Sequence, residues 1–313
     1  MREYILQRLV QIIPVLFFLS IIVFAIVRLI PGDPAAVRLG MEATPEGIAA
    51  VRREMGLDQP FIVQYLLWLK DVLRGDFGTS WVSKMPVLEL IMLKLPASLL
   101  LAFTALAIAL LIAIPAGIVS GVKQHSLVDN IATTFSLLGV AMPQFWLGIM
   151  LMLIVAVQLR WLPPSGYVDF NQNPVEALRR LILPATTLGL TLAAPLARFM
   201  RSGMLDVMNA DYIRTARAKG LPERLVIMRH AVRNALLTVI TVFGMQFGAL
   251  LGGTIVIEQV FSWPGIGLMS FTAINQRDYG IIQGVVLFVA LGFVLVNVLI
   301  DVLYVYVDPR IRY

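Results

Sequence analysis

The sequence predicts an all-α integral membrane protein with six transmembrane helices, on three observations. Of 313 residues, 59% are hydrophobic and only 14% charged, and the mean hydropathy is +0.85; a soluble domain needs far more charge to cover its surface. The apolar residues come in unbroken runs rather than the alternation of a barrel strand, and several reach the ~20 residues that carry a helix across a hydrocarbon core. The runs number six, which puts both termini on one side of the membrane.

The first run, Leu9–Leu29, follows Arg2 and Arg8 and exceeds the ~7–15-residue apolar core of a signal peptide, so it is expected to be a retained span. The other five are Ser98–Val119, Ile131–Val157, Leu181–Phe199, Leu236–Ile257 and Ile281–Val305. Residues 31–97 form a large loop with seven Lys/Arg and eight Asp/Glu, nearly neutral. Its turn chemistry, "PGDP" at Pro31–Pro34, "GLDQP" at Gly56–Pro60 and "RGDFGTS" at Arg74–Ser80, separates amphipathic stretches such as Phe61–Leu73, too polar to span and expected to lie on the outer membrane face. Asp33, Asp58 and Asp76 have no His, Cys or clustered carboxylate with them and read as turn residues rather than catalytic groups. The whole chain, 1–313, is expected to form one membrane domain, with residues 98–305 as a five-helix core.

Orientation follows from the short loops. The connection between spans four and five, with its flanks, holds Arg198, Arg201, Arg214, Arg217, Lys219, Arg224, Arg229 and Arg233, whereas Gln259–Gly280 holds only Arg277. Cations concentrate in cytoplasmic loops, so both termini and residues 201–236 are expected in the cytoplasm. The net charge of +6 is therefore a topology signal rather than a nucleic-acid footprint.

Several chemistries are excluded. Cysteine is absent, which removes disulfides, thiol catalysis and Cys-based metal sites. No G-x-x-x-x-G-K-[ST] sequence exists to cradle a phosphate, so the chain is not expected to hydrolyse ATP or hold a cofactor. The two histidines, His125 and His230, fall in predicted loops, which leaves no catalytic pair and no metal ligand set at membrane depth. Ion coupling would call for titratable groups inside the helices. The nearest candidates are Asn297 and Asp301, four apart on one face of the last span; Asp301 reads as a carboxylate reaching the interface or pairing with a cation such as Arg198. Glu258 is expected near the outer mouth.

Gly244, Gly248 and Gly252 recur every fourth residue on span five, with Gly253 beside the last, and line one face built for close approach. That face, with Gln246 beside it and Asn297 on the last span, either packs against a helix of the same chain or walls a translocation path or subunit seam. Gly117 and Gly121 on span two are expected to serve packing alone.

The basic connection contains "NADYIRTARAKGLPER". Asn209 and Asp211 give a helix start signal, Gly220 a stop, and Pro222 opens a second helix. Thr215, Ala216 and Ala218 leave little side-chain bulk, so a partner could approach the backbone, while Arg214 and Arg217 place charge on one side.

This segment resembles the cytoplasmic coupling loop of ATP-binding-cassette importer permeases, whose consensus Glu-Ala-Ala-x-x-x-Gly frames Arg214-Thr215-Ala216-x-x-x-Gly220. "YIRTARAKG" followed by "RHAVRNALL" (Arg229–Leu237) is similar to the dipeptide/oligopeptide branch, which includes nickel and glutathione permeases. Along the chain "YILQRL" (Tyr4–Leu9), "PGDP", "MGLDQP" (Met55–Pro60), "GDFGTS" (Gly75–Ser80), "MPQFWLG" (Met142–Gly148), "FSWPGIG" (Phe261–Gly267), "RDYGIIQG" (Arg277–Gly284) and "DPRIRY" (Asp308–Tyr313) resemble its B-type subunit in order. Three positions depart from the pattern: Arg214 replaces the consensus Glu, Thr238 a usual Pro, and Gly280 the Pro of "RDYP".

The resemblance implies a type I importer permease fold in the bacterial inner membrane. It implies a second homologous permease subunit as heterodimer partner, two cytoplasmic ATPases holding ATP and Mg, a solute-binding protein, surrounding lipid, and no nucleic acid. It also implies that Arg214, Thr215, Ala216, Arg217, Ala218, Lys219 and Gly220 form the element that enters an ATPase cleft, and that the substrate is a short peptide, with nickel chelates, glutathione or oligosaccharides as alternatives. The residues alone leave an ion-coupled secondary transporter and a structural membrane scaffold open.

Overall fold

The computed structural model describes residues 2–29, 34–39, 44–54 and 56–307. Fourteen helices are described: α1 (Arg2–Leu29), α2 (Pro34–Leu39), α3 (Pro45–Glu54), α4 (Phe61–Leu73), α5 (Val87–Val122), α6 (Leu127–Ala141), α7 (Gln144–Leu151), α8 (Pro174–Met208), α9 (Asp211–Ala218), α10 (Glu223–Leu225), α11 (Val232–Gly253), α12 (Ile255–Val260), α13 (Ile266–Gln276) and α14 (Tyr279–Val307). Wide π-helical turns extend α7 over Met152–Gln158 and join α10 to α11 over Val226–Ala231. Among the described residues the only extended pairing is a bridge between Thr79 and Pro86. The "PGDP" turn at 31–33, Met55 of "MGLDQP", the side chain of Asp301 and the "DPRIRY" tail lie outside the described residues.

All six predicted runs fall on helix, with two corrections. The third is not one rod: α6 and the α7 segment to Gln158 meet at 106°. Pro143 supplies no N–H and disfavours helical geometry in the residue before it, and Met142 is extended at φ −77, ψ 129. The fifth run breaks after Gly253, and α12 restarts at Ile255. The loop expected to extend to residue 97 already becomes helical at Val87, so α5 has 36 residues and a length of roughly 54 Å. α8, with 35 residues, begins where the Asn173 side chain accepts from the Glu176 N–H at 3.2 Å and Pro174 occupies the first turn.

The chain divides into two compact units. The first comprises residues 1–96 and 265–294. Here α4 packs on α1 through rings, Phe24 lying 5.2–5.4 Å from Phe61, Tyr65 and Trp68, while Ser20 and the Tyr65 hydroxyl share a 2.8 Å hydrogen bond. Two of the sequence motifs meet in this unit. The buried carboxylate of Asp278, in "RDYGIIQG", accepts from the Ser80 hydroxyl at 2.5 Å and from the backbone N–H groups of Trp81 and Val82 at 3.1 and 3.2 Å. A Cβ at Gly280 would fall onto the Thr79 carbonyl of "GDFGTS", which accounts for glycine at this position.

The second unit comprises residues 97–264 and 295–313. Phe261 and Trp263 of "FSWPGIG" are each 1% exposed. The Trp263 indole donates to the Ala97 carbonyl at 2.9 Å, and Gly148 of "MPQFWLG" leaves room for the Phe261 ring. The phenol of Tyr167, edge-on to Trp263, is pushed up from its ordinary pKa by burial. Gly117 and Gly121 face α8 as expected: a Cβ at Gly117 would sit 2.5 Å from Met200 Cβ and 2.8 Å from the Ala197 carbonyl, and one at Gly121 2.5 Å from Met204 Cβ. Gly117→Leu is therefore expected to force α5 from α8 and to cost about 1–3 kcal/mol, the range for overpacked cores. Thermal unfolding in detergent checks this, and an unchanged midpoint would mean the helices part without cost.

Candidate functional site

The predicted coupling segment is a separate short helix, α9. Its start differs from expectation. Asn209 ends α8, donating to the Leu205 carbonyl at 3.0 Å, and Ala210 occupies the cap position of α9 without a side-chain hydrogen bond. Asp211 is the first helical residue, where its charge complements the helix dipole. The stop is as predicted: Gly220 has φ +77, a left-handed geometry that closes the helix at no side-chain cost, and Pro222 leads into α10.

α9 has two unlike faces. Ile213 is 0% exposed and Ala216 7%, both within a core that includes Met204, Val226 and Ala231. Ala216 is thus small because its own chain packs against it, and the expectation that its size reflects a partner does not apply. The outer face presents Arg214, Thr215, Arg217, Ala218, Lys219 and Gly220. A Cβ at Gly220 would meet nothing within 4 Å.

The cations of this face are not equivalent. Arg217 makes a two-pronged pair with Glu223 across the turn, Nε to Oε2 at 3.1 Å and Nη2 to Oε1 at 2.6 Å, and these hydrogen bonds raise the Arg217 pKa above its ordinary value. An exposed pair stabilises by only about 0.2–1 kcal/mol, so its contribution is geometric, fixing the turn. Arg214 lies 3.7 Å from the exposed Asp211 carboxylate, and Lys219 has no ion-pair partner among the described residues.

The glycine face lies on α11, a different element. A Cβ at Gly244 would run into the Ile300 side chain of α14, so own-chain packing accounts for this position. Gly248 is buried, Gly252 and Gly253 close the helix, and the half-buried Gln246 donates to the Leu192 carbonyl of α8 at 3.5 Å. Asn297 is half-buried on α14, three residues before Ile300. The structure thus groups Gly244 with the α14 stretch that carries Asn297, apart from α9.

Two polar centres were not singled out from the sequence as sites. Asp129, 2% exposed, begins α6 and receives Arg201 of α8 through Nε at 2.6 Å and Nη2 at 2.8 Å, the Ser120 hydroxyl of α5, and the His125 N–H at 2.9 Å. Its partner lies 72 residues away, a separation that no local pattern reports. Glu258, expected at the outer mouth, is 0% exposed and accepts from Thr254 at 2.8 Å and Ser98 at 3.2 Å. Among the described residues no three His, Cys, Asp or Glu side chains gather as a metal site would require.

Comparison with known proteins adds to this geometry. The family described as binding-protein-dependent transport system inner membrane component matches residues 113–313, and the N-terminal family of such membrane components matches residues 1–102. The dipeptide transport system permease protein DppB of Alkalihalophilus pseudofirmus is 44% identical over 334 aligned residues, covering 100% of both chains. The glutathione transport system permease protein GsiC of Salmonella typhimurium and a putative peptide transport system permease protein of Brucella abortus are each 44% identical over 313 residues, again covering 100% of both chains. A solved amino acid ABC transporter with histidines matches at 14% identity and a TM-score of 0.48, covering 69% of this chain and 93% of that one. The full-length relatives and the matched families establish that this chain belongs to the binding-protein-dependent transport system inner membrane components, as a multi-pass permease subunit of an ABC importer.

Proposed function

We propose that this permease imports short peptides and receives the work of ATP hydrolysis through α9. The outer face of α9 is the observation that carries the reading: small or charged side chains, an open glycine, and an inner face anchored in the chain's own core. A helix held in this way transmits displacement to its core rather than bending away from a partner. On this reading two ATP-binding subunits, holding ATP and Mg, lie against α9, a second and distinct permease completes the path, and an external solute-binding protein delivers the cargo. The cation-rich 201–236 connection supports placing α9 and both termini in the cytoplasm.

The names of the relatives support the substrate class. Dipeptides and glutathione, a γ-linked tripeptide, share amide bonds with free charged termini, and one path can serve both. Proteoliposomes containing this chain, its partner permease, the ATPases and the binding protein are expected to accumulate labelled dipeptide or glutathione only with ATP inside the ATPase-accessible compartment. Uptake that persists without ATPases, driven by an ion gradient, would favour a secondary transporter. ATP-driven uptake of nickel chelates or oligosaccharides with none of peptides would keep the machine and replace the cargo.

A further inference from the structure

We propose that the groove bounded by α5, α6 and α8 binds one anionic phospholipid, with its phosphate at Arg198 and an acyl chain in the adjoining apolar trough. Two cavities within the second unit form this groove. One, of about 400 Å³, is walled by apolar side chains including Ile112, Phe135, Leu147 and Leu190. The other, of about 150 Å³, is lined by Ser120, Thr133, Ser136, Arg198 and Arg201. Ala116, Ala132, Ser136 and Ala197 line both, so the apolar trough runs directly into the polar end.

The charges at that end differ in commitment. Arg201 is engaged by the Asp129 carboxylate. Arg198, one turn earlier on α8, is exposed and has no ion-pair or hydrogen-bond partner among the described residues. A guanidinium without a partner among the described residues, lining the same cavity as the Ser136 hydroxyl, suits a phosphate, which accepts from both at once. Basic pockets between membrane helices bind anionic headgroups by this chemistry.

The trough decides among occupants. A peptide lying in it would bring amides that the walls, apart from the Ser136 hydroxyl, give no partner. An apolar helix of a second subunit would bury the Arg198 charge without compensation. An acyl chain ending in a phosphate satisfies both parts of the groove. Assignment to the cytoplasmic leaflet rests on the orientation proposed above; lipid binding itself does not, so the two fail separately.

The purified, delipidated full chain in detergent can be titrated with phosphatidylglycerol or phosphatidylcholine of identical acyl chains, and bound lipid counted by native mass spectrometry. A preference for phosphatidylglycerol of about fivefold is expected, the equivalent of one surface arginine acting on an anionic lipid. Arg198→Gln should abolish the preference and Arg198→Lys should retain most of it. Ala132→Leu, which fills the shared wall, should reduce retention of both lipids. Equal retention by the wild type, or an undiminished preference in Arg198→Gln, overturns the proposal. Displacement of the lipid by millimolar inorganic phosphate would likewise overturn it, assigning the polar end to a free anion.

Discussion

Arg201→Gln is expected to destabilise the second unit by about 3–5 kcal/mol, the cost of removing one partner from a buried ion pair. The Asp129 carboxylate is 2% exposed, and without the guanidinium it keeps only the Ser120 hydroxyl, the His125 N–H and whatever Thr133 offers from 3.4 Å. Three helices meet at this carboxylate, so the loss loosens α5, α6 and α8 together. Fluorescence-detected size exclusion after heating in detergent should show Arg201→Gln aggregating well below the wild type. Asp129→Asn combined with Arg201→Gln removes both charges and should recover much of the loss. A single variant that elutes and melts like the wild type would reduce the pair to ornament.

Ala218→Trp is expected to abolish both ATPase co-purification and transport while leaving the fold intact. Ala218 is on the exposed face of α9, so an indole there meets no atom of its own chain's core but obstructs any surface laid against the helix. Ala216→Trp provides the contrast. Ala216 is 7% exposed between α9 and its core, so a tryptophan there should damage the fold itself and lower the melting temperature. Gly220→Leu belongs with Ala218 in having open space, but its φ of +77 imposes about 1–2 kcal/mol of backbone strain on a side chain. A Lys219→Cys label, unique in a chain without cysteine, verifies that each variant inserts in the same orientation. If Ala218→Trp retains its ATPases and transports normally, α9 is only a cluster of cations that sets topology.

Those contrasts mark where the sequence was legible. Apolar runs located the long helices because a membrane demands an unbroken stretch of fixed minimum length; among the described residues four helices are long and apolar enough to cross, five with the bent α6–α7 pair counted as one span. Gly220 gave the end of α9 because its backbone geometry excludes other residues almost regardless of surroundings. The 106° bend at Met142–Pro143 was implicit in the proline but masked by hydropathy, which does not register the direction of an axis. Ala216 and Ala218 are indistinguishable by composition. Only the arrangement of α9 on its core turns one inward and the other outward. Arg201 read only as one loop cation and Asp129 drew no reading, because their relation exists only after α6 and α8 have packed.

That separation also has a consequence in time. Asp129 and Arg201 are 72 residues apart, and at ~5–20 residues per second a ribosome needs roughly 4–14 s to pass from one to the other. For most of that interval α5 and α6 have been made while the carboxylate between them has only Ser120 and His125 for company. The newborn pair of helices therefore cannot settle into its final depth until the fourth span arrives, and a synthesis arrested before residue 201 yields a fragment whose charge must remain at a watery interface or in the keeping of the insertion machinery.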